Sequence, residues 1–101
     1  NFSNPNIFWH LFVVKIKDLN RQKKLKFMNY LKRNNIACQI HYKPLYKHKI
    51  YKKNIVINQY NNSEVFYKSI ISLPLHTRMI EKDVIKIVNI VKKFFFRFSN
   101  V

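Results

Sequence analysis

The fold is decided by Ile36-Ala37-Cys38-Gln39-Ile40-His41-Tyr42-Lys43-Pro44. Residues 37–42 have the composition of a short apolar strand, and Pro44 ends it because proline has no N–H for strand pairing. A similar pattern recurs downstream in Ser72-Leu73-Pro74-Leu75-His76. Because two predicted strands each end beside a proline and a histidine, we expect their ends to form the rim of a ligand site.

Helices and strands alternate on both sides of this stretch. Residues 9–16 are β-rich, with the apolar run of a strand that is buried on much of both faces. Residues 21–34 repeat apolar side chains at helical spacing with lysines on the other faces, which predicts an amphipathic helix. Asn20 is its candidate N-cap, and Asn34-Asn35 ends it, since asparagine tolerates the left-handed conformation. The later predicted elements are one or two helical turns over 45–51, a helix over 63–70, a strand over 72–75 and a helix over 81–95.

This order of elements predicts a single α/β domain in which helices cover a small antiparallel or mixed sheet. With 101 residues, the chain can bury about 60–65% of the surface that its unfolded form exposes, so the core is modest. The spacing also assigns the buried faces of the two later helices. These predicted inward residues are Val65, Phe66 and Ile70 in the first helix, and Val84, Ile87, Val88, Val91 and Phe95 in the second.

The formal net charge of +16 comes from 20 lysines and arginines against four acidic residues. Residues 42–53 interleave aromatic and basic side chains, a combination that can stack on bases and neutralise phosphates. Lysines are nevertheless spread from Lys15 to Lys93, and the chain has no glycine, a profile typical of compositional drift. We therefore interpret these lysines as a solvated background and not as a nucleic-acid-binding surface. A small basic nucleic-acid-binding module is the alternative.

The composition excludes several other kinds of site. Cys38 is the only cysteine, so no internal disulfide or cysteine-based zinc site can form, and a reducing, cytoplasmic setting fits best. The apolar runs are far shorter than the ~20 residues of a membrane helix, so we expect no membrane partner. With four acidic residues and no glycine-rich phosphate loop, we expect neither a metal site nor an autonomous catalytic site.

His41 and Tyr42 are the candidate ligand-binding residues. From the residues alone, His41 fits a hydrogen-bonded rim histidine better than a ligand contact, and Tyr42 fits packing with its hydroxyl at the edge. His10 fits a structural histidine at a strand start, and His76 fits a brace for the loop before the last helix. The chain opens at Asn1 without methionine, and we expect a fragment that starts inside a longer protein.

The ordered motifs resemble the C-terminal small domain of the sugar-nucleotide aminotransferases of the DegT/DnrJ/EryC1/StrS family. These are pyridoxal-phosphate enzymes with the fold of aspartate aminotransferase, also called fold type I. The resemblance extends from about Phe8 to Phe95, and Asn34, Asn35 or Ala37 replaces the glycine that the family usually has before the histidine-bearing strand. The matching segments are Trp9-His10-Leu11-Phe12-Val13-Val14, Gln39-Ile40-His41-Tyr42-Lys43-Pro44-Leu45, Ser72-Leu73-Pro74-Leu75-His76 and Glu81-Lys82-Asp83-Val84.

The resemblance implies a transaminase that moves an amino group from glutamate to a UDP-linked 4-keto-6-deoxy-N-acetylhexosamine, a reaction that supplies sugars for surface glycans. It implies that His41 lines the substrate pocket beside Tyr42, and that the full-length enzyme is a homodimer. The lysine and aspartate that bind pyridoxal phosphate are expected in a large domain before Asn1. Residues 1–101 would then be a single C-terminal small domain without a catalytic residue, inactive alone. An inactive remnant of such an enzyme is a further alternative.

Overall fold

The structure is a computed structural model that describes Asn6 and residues 9–51 and 60–99. Two strands and three α-helices form it, with one 3₁₀ turn at Leu45–Lys47 in the predicted helical region. The predicted helices over 21–34 and 81–95 are confirmed, the second with four more residues at its end. In chain order the elements are β1 (Phe12–Lys15), α1 (Arg21–Arg33), α2 (Asn61–Ser69), β2 (Ile70–Leu73) and α3 (Glu81–Ser99).

Asparagines bound helix α1 at both ends. The Oδ1 atom of Asn20 accepts a hydrogen bond from the backbone N–H of Lys23 at 2.7 Å, which satisfies one of the donors that a helix start leaves unpaired. After the helix, Asn35 has a φ of 60°, in the left-handed region where glycine is the usual residue. Asparagine therefore ends α1 in a chain without glycine, as predicted.

The sheet is smaller than predicted. Strands β1 and β2 pair antiparallel, with Phe12 opposite Leu73 and Lys15 opposite Ile70. The prediction of a strand over residues 37–42 was wrong, because only Gln39 pairs there, with Ser72. Cys38 of this segment packs against the buried cluster instead, next to the buried Ile36 that precedes the segment. Their hydrophobicity therefore indicated burial and not a strand ladder.

The core lies between α1, α3 and the sheet. Phe27, Leu31 and Ile71 are fully buried. The ring of Phe27 lies 4.9 Å from that of Phe94 and 5.0 Å from that of Phe95, measured between centroids. Tilted contacts at this separation add to the stabilisation that burial gives. The aromatic residues of α1 and α3 therefore hold the two helices together.

Two predicted helix faces need correction. In α3 the inward residues Ile87, Val91 and Phe95 pack against the core, but Val84 and Val88 are exposed. The stripe therefore lies partly on the surface.

Of the residues predicted to face inward from the helix over 63–70, Ile70 is buried, but it is the first residue of β2. Val65 and Phe66 of α2 are 62% and 50% exposed. The Nζ atom of Lys24 donates to the carbonyl oxygen of Tyr67 at 2.6 Å. This contact turns the Tyr67 side of α2 toward α1, which the spacing of residues within α2 could not reveal.

Candidate functional site

The structure places His41 against strand β2. Its Nδ1 atom lies 2.8 Å from the Oγ atom of Ser72, at hydrogen-bond distance. Two backbone hydrogen bonds hold the segment that contains His41 against β2. The Gln39 N–H donates to the Ser72 carbonyl oxygen at 3.1 Å, and the Ser72 N–H donates to the Gln39 carbonyl oxygen at 2.8 Å. Ser72 therefore connects the two segments, residues 36–44 and 72–76, that each contain a proline and a histidine.

One cavity of about 290 Å³ opens on this side of His41, and we call it the histidine cavity. It also contains His10, which we expected to be structural, and Pro74 from the second motif. His76 of that motif lies elsewhere, where its Nδ1 atom accepts a hydrogen bond from the backbone N–H of Arg78 at 3.3 Å. The described lining residues of the histidine cavity are His10, Leu11, Ala37, Gln39, His41, Ser72, Leu73, Pro74 and Leu75.

A second cavity, of about 370 Å³, lies on the other side of His41, and we call it the aromatic cavity. Tyr42 lines it, is 68% exposed, and places its ring 4.7 Å from that of His41 in an edge-on contact. Tyr46 and Tyr60 stack at 4.9 Å with an angle of 11° between their rings. Its described lining residues are His41, Tyr42, Pro44, Leu45, Tyr46, Tyr60, Ser63, Phe66, Tyr67 and Ile70. Because His41 lines both cavities, a ligand in either can contact its ring.

Glu64 anchors the wall of the aromatic cavity. Its Oε1 atom accepts a hydrogen bond from the Tyr46 hydroxyl at 2.8 Å and lies 2.9 Å from the Nζ atom of Lys47. Burial alone would raise the pKa of Glu64, but the hydrogen bonds from Lys47 and Tyr46 and the charges of Lys47 and Lys68 hold it below the usual value. Burial and the contact with Glu64 raise the pKa of Tyr46 to about 12. The tyrosine hydroxyl is therefore a fixed, neutral donor.

These contacts weaken the nucleic-acid alternative. Tyr46 lies in the basic and aromatic segment 42–53, but its side chain is buried and its ring already stacks on Tyr60. Lys47 in the same segment pairs with Glu64. Lys52 and Lys53 of this segment lie outside the described residues.

The chemistry of both cavities suits a neutral polar ligand with apolar faces. Imidazole, hydroxyl and amide groups can fix the orientation of such a ligand, while the aromatic rings bury its apolar surface. The described lining residues of the two cavities include neither a lysine nor a carboxylate. They therefore do not fit pyridoxal phosphate, which needs a lysine for its covalent link and an acidic partner for its ring nitrogen.

The described residues also bear on metal and membrane partners. No group of three or more histidine, cysteine, aspartate or glutamate side chains there could hold a metal ion. Within the same residues, none of the helices combines the length and the apolar character that crossing a bilayer requires.

The fold matches solved sugar aminotransferases. A protein of Streptococcus pneumoniae described as a sugar aminotransferase superposes with a TM-score of 0.82 and 26% identity, and its structures include a PLP form and a PMP form. The match to the PMP form covers 87% of this chain and 22% of that one. The fold class predicted from the sequence, an α/β domain of PLP-dependent sugar aminotransferases, is thus confirmed.

The chain belongs to the DegT/DnrJ/EryC1/StrS aminotransferase family, which it matches over residues 2–92. Pyridoxal phosphate is the cofactor that this family and the PLP and PMP structures support. The predicted family resemblance and cofactor are confirmed.

Two relatives illustrate the similarity. An uncharacterised protein of Methanocaldococcus jannaschii is 38% identical over 88 residues, which cover 84% of this chain and 23% of that protein. The UDP-4-amino-4,6-dideoxy-N-acetyl-beta-L-altrosamine transaminase of Helicobacter pylori is 34% identical over 77 residues, covering 76% of this chain and 20% of the enzyme. The chain therefore spans less than a quarter of the length of these relatives.

Both predicted site residues lie at one place in the fold, but the sequence did not identify all their neighbours. His41 and Tyr42 meet at the boundary of the two cavities. Ser72, the hydrogen-bond partner of His41, and Tyr60, the stacking partner of Tyr46, were not predicted. The repeated strand-proline-histidine pattern was the only sequence signal that linked Ser72 to His41.

Proposed function

We propose that residues 1–101 are the C-terminal small domain of a PLP-dependent transaminase that transfers an amino group from glutamate to a nucleotide-linked keto sugar. In this proposal His41 and Tyr42 contact the sugar, and a large domain elsewhere in the polypeptide holds the cofactor. The position of His41 between two cavities with polar and aromatic walls is the observation that carries the proposal. The family match and the share of each relative that the chain covers support it.

The proposed substrate is a UDP-linked 4-keto-6-deoxy-N-acetylhexosamine, because the Helicobacter pylori relative is named for a UDP-4-amino-4,6-dideoxy sugar. We also propose a cytoplasmic homodimer that supplies sugars for surface glycans, as the family resemblance implies. The neutral lining of the two cavities suits the sugar better than the phosphates, because the described lining carries no lysine or arginine. The proposal therefore assigns sugar recognition, and no step of the chemistry, to this chain.

The test compares two half-reactions in the full-length enzyme that contains this chain. His41→Ala should slow amination of the keto sugar roughly tenfold, as expected when one hydrogen bond of about 1.4 kcal/mol is lost. The half-reaction with glutamate should change less than about twofold, because glutamate does not reach the sugar contact in this proposal. His76→Ala is the matched control, since His76 is exposed and lies outside both cavities.

Equal losses in the two half-reactions would remove the role assigned to His41.

The cofactor assignment has its own test on the chain of 101 residues. Pyridoxal phosphate added to this chain should produce no saturable absorbance change, and specific binding would contradict the proposal that another domain holds the cofactor.

A further inference from the structure

A single carboxylate, that of Glu64, connects α2 to the 3₁₀ turn at Leu45–Lys47. Its Oε1 atom accepts a hydrogen bond from the Tyr46 hydroxyl at 2.8 Å and lies 2.9 Å from the Nζ atom of Lys47. Its Oε2 atom lies 3.9 Å from the Nζ atom of Lys68, one helical turn further along α2. The side chain of Glu64 is only 14% exposed, so water screens its charge less than at an open surface.

The lysines around this carboxylate repel one another. Lys24, Lys47 and Lys68 line one cavity of about 630 Å³ beside α1 and α2. The Nζ atoms of Lys24 and Lys47 lie 4.8 Å and 4.9 Å from the centre of the Tyr67 ring. Burial and, after it, the charge of Lys47 lower the pKa of Lys24. Among the described residues, Glu64 is the one acid that forms an ion pair with any of these lysines.

The turn that Glu64 contacts forms one wall of the aromatic cavity. Tyr46 lies in the turn and stacks on Tyr60 with 4.9 Å between the ring centroids, and both line that cavity. Tyr42, a proposed sugar contact, lines the same cavity shortly before the turn in the chain. A displacement of the turn would therefore move the wall together with the segment that carries Tyr42.

The charge of Glu64 has a role that its hydrogen bond does not. A glutamine amide oxygen in the same place could accept the hydrogen bond from the Tyr46 hydroxyl. It could not neutralise Lys47 and Lys68, and the like charges would then push the turn away from the two helices. The negative charge is therefore the property of this side chain that opposes the repulsion.

We propose that Glu64 is a positioning residue: its negative charge keeps Lys47 beside two other lysines and so holds the 3₁₀ turn in place as a wall of the aromatic cavity. Glu64 is not among the described lining residues of that cavity, and it acts through Tyr46 and Lys47. The effect on a ligand rests on the proposed function, in which the sugar contacts His41 and Tyr42.

The position of the turn is tested by NMR-detected hydrogen exchange on the chain of 101 residues. The backbone N–H groups of Lys47 and His48 donate to carbonyl oxygens of the turn at 3.0 Å each. In Glu64→Gln these two amides should exchange roughly three- to fivefold faster, because the turn opens more often. The amide of Leu31 in α1 should change less than about twofold, since the core stays folded.

A second substitution separates charge from shape. In the double variant Glu64→Gln with Lys47→Gln, exchange at the turn should return to within about twofold of the parent, because the turn no longer carries the cation that its neighbours repel. A side chain that only fills space would not be rescued in this way. Glu81→Gln is the matched control, since it removes an exposed acid from the first turn of α3.

The ligand is tested in the full-length enzyme that contains this chain. Glu64→Gln should raise the KM for the keto sugar roughly three- to tenfold and change kcat less than about twofold, as expected when a binding wall is misplaced. The KM for glutamate should change less than about twofold, and the double variant should recover most of the loss in keto-sugar KM. Glu81→Gln should leave every parameter within about twofold of the parent.

Unchanged exchange at the turn in Glu64→Gln, an equal effect of Glu81→Gln, or a double variant no better than the single one would overturn the inference. Faster exchange with an unchanged keto-sugar KM would also overturn it if His41→Ala still slows that half-reaction. If exchange behaves as expected but neither Glu64→Gln nor His41→Ala acts selectively on the keto sugar, the proposed function fails and the positioning of the turn by Glu64 stands.

Discussion

Phe27→Ala removes the aromatic ring at the centre of the core, and Phe96→Ala removes the same ring from the surface of α3. Phe27 is fully buried and contacts both Phe94 and Phe95, whereas Phe96 is 75% exposed. Replacing a core phenylalanine by alanine costs about 3–5 kcal/mol, and the two ring contacts favour the upper part of that range. The same change at Phe96 should cost less than about 0.5 kcal/mol, because little apolar surface is lost there.

The free energy of unfolding is measured for each variant by urea titration, followed by the far-ultraviolet circular dichroism of the helices. Domains of this size have about 5–15 kcal/mol of stability, so Phe27→Ala can leave the chain unfolded without urea. Phe27→Leu keeps much of the buried volume and should cost about 1–2 kcal/mol, which remains measurable. A cost below about 1 kcal/mol for Phe27→Ala, or an equal cost at Phe96, would refute this placement of the core.

Two further predictions concern electrostatics and helix capping. The folded pKa of Glu64 lies below the ordinary value of 4.5, so its ion pairs add stability above that pH, and this stability is lost as the pH falls through the folded pKa. Glu64→Gln should therefore lower the free energy of unfolding, measured by urea titration, by up to about 1 kcal/mol at about pH 7 and by much less at about pH 3. An equal loss at both pH values would contradict this prediction. Asn20→Ala should cost about 1 kcal/mol in thermal or urea unfolding because the cap on Lys23 is lost, while Asn20→Asp should retain it. An alanine variant as stable as the parent would show that the cap contributes nothing.

Local features of the fold were predictable because neighbouring residues determine them. Asn20 and Asn35 bound α1 through their own backbone and side-chain preferences, and both lie where the sequence predicts. The helix α1 itself follows from apolar side chains that recur at helical spacing over residues 21–34.

Features that depend on distant partners were not predictable. The exposure of Val65 and Phe66 reflects the tertiary placement of α2, whose Tyr67 carbonyl oxygen accepts a hydrogen bond from Lys24 in α1. Residues 37–42 were predicted as a strand from their apolar character, but only Gln39 finds a partner in β2. Burial and strand pairing produce the same short apolar signal in a sequence, and only the three-dimensional arrangement separates them.

The candidate site also contains residues that the sequence could identify and residues that it could not. His41 and Tyr42 are adjacent in a recognisable motif, so the sequence alone nominated them. Ser72 and Tyr60 come from other elements and contact the site through tertiary structure. Lys24 of α1, Lys43 and Lys68 of α2 line one cavity, whereas the sequence showed only a charge spread along the chain.

The double role of Ser72 makes His41 sensitive to the alignment of the sheet. Ser72 uses its backbone to pair with Gln39 and its hydroxyl to meet His41. A slip of β2 by one residue would turn that hydroxyl to the opposite face, because side chains alternate along a strand. A ligand that binds only when His41 is bonded to Ser72 therefore stabilises the observed register of β2. By thermodynamic reciprocity, that register also strengthens binding of the ligand. Slower hydrogen exchange at the Ser72 amide would then accompany ligand binding.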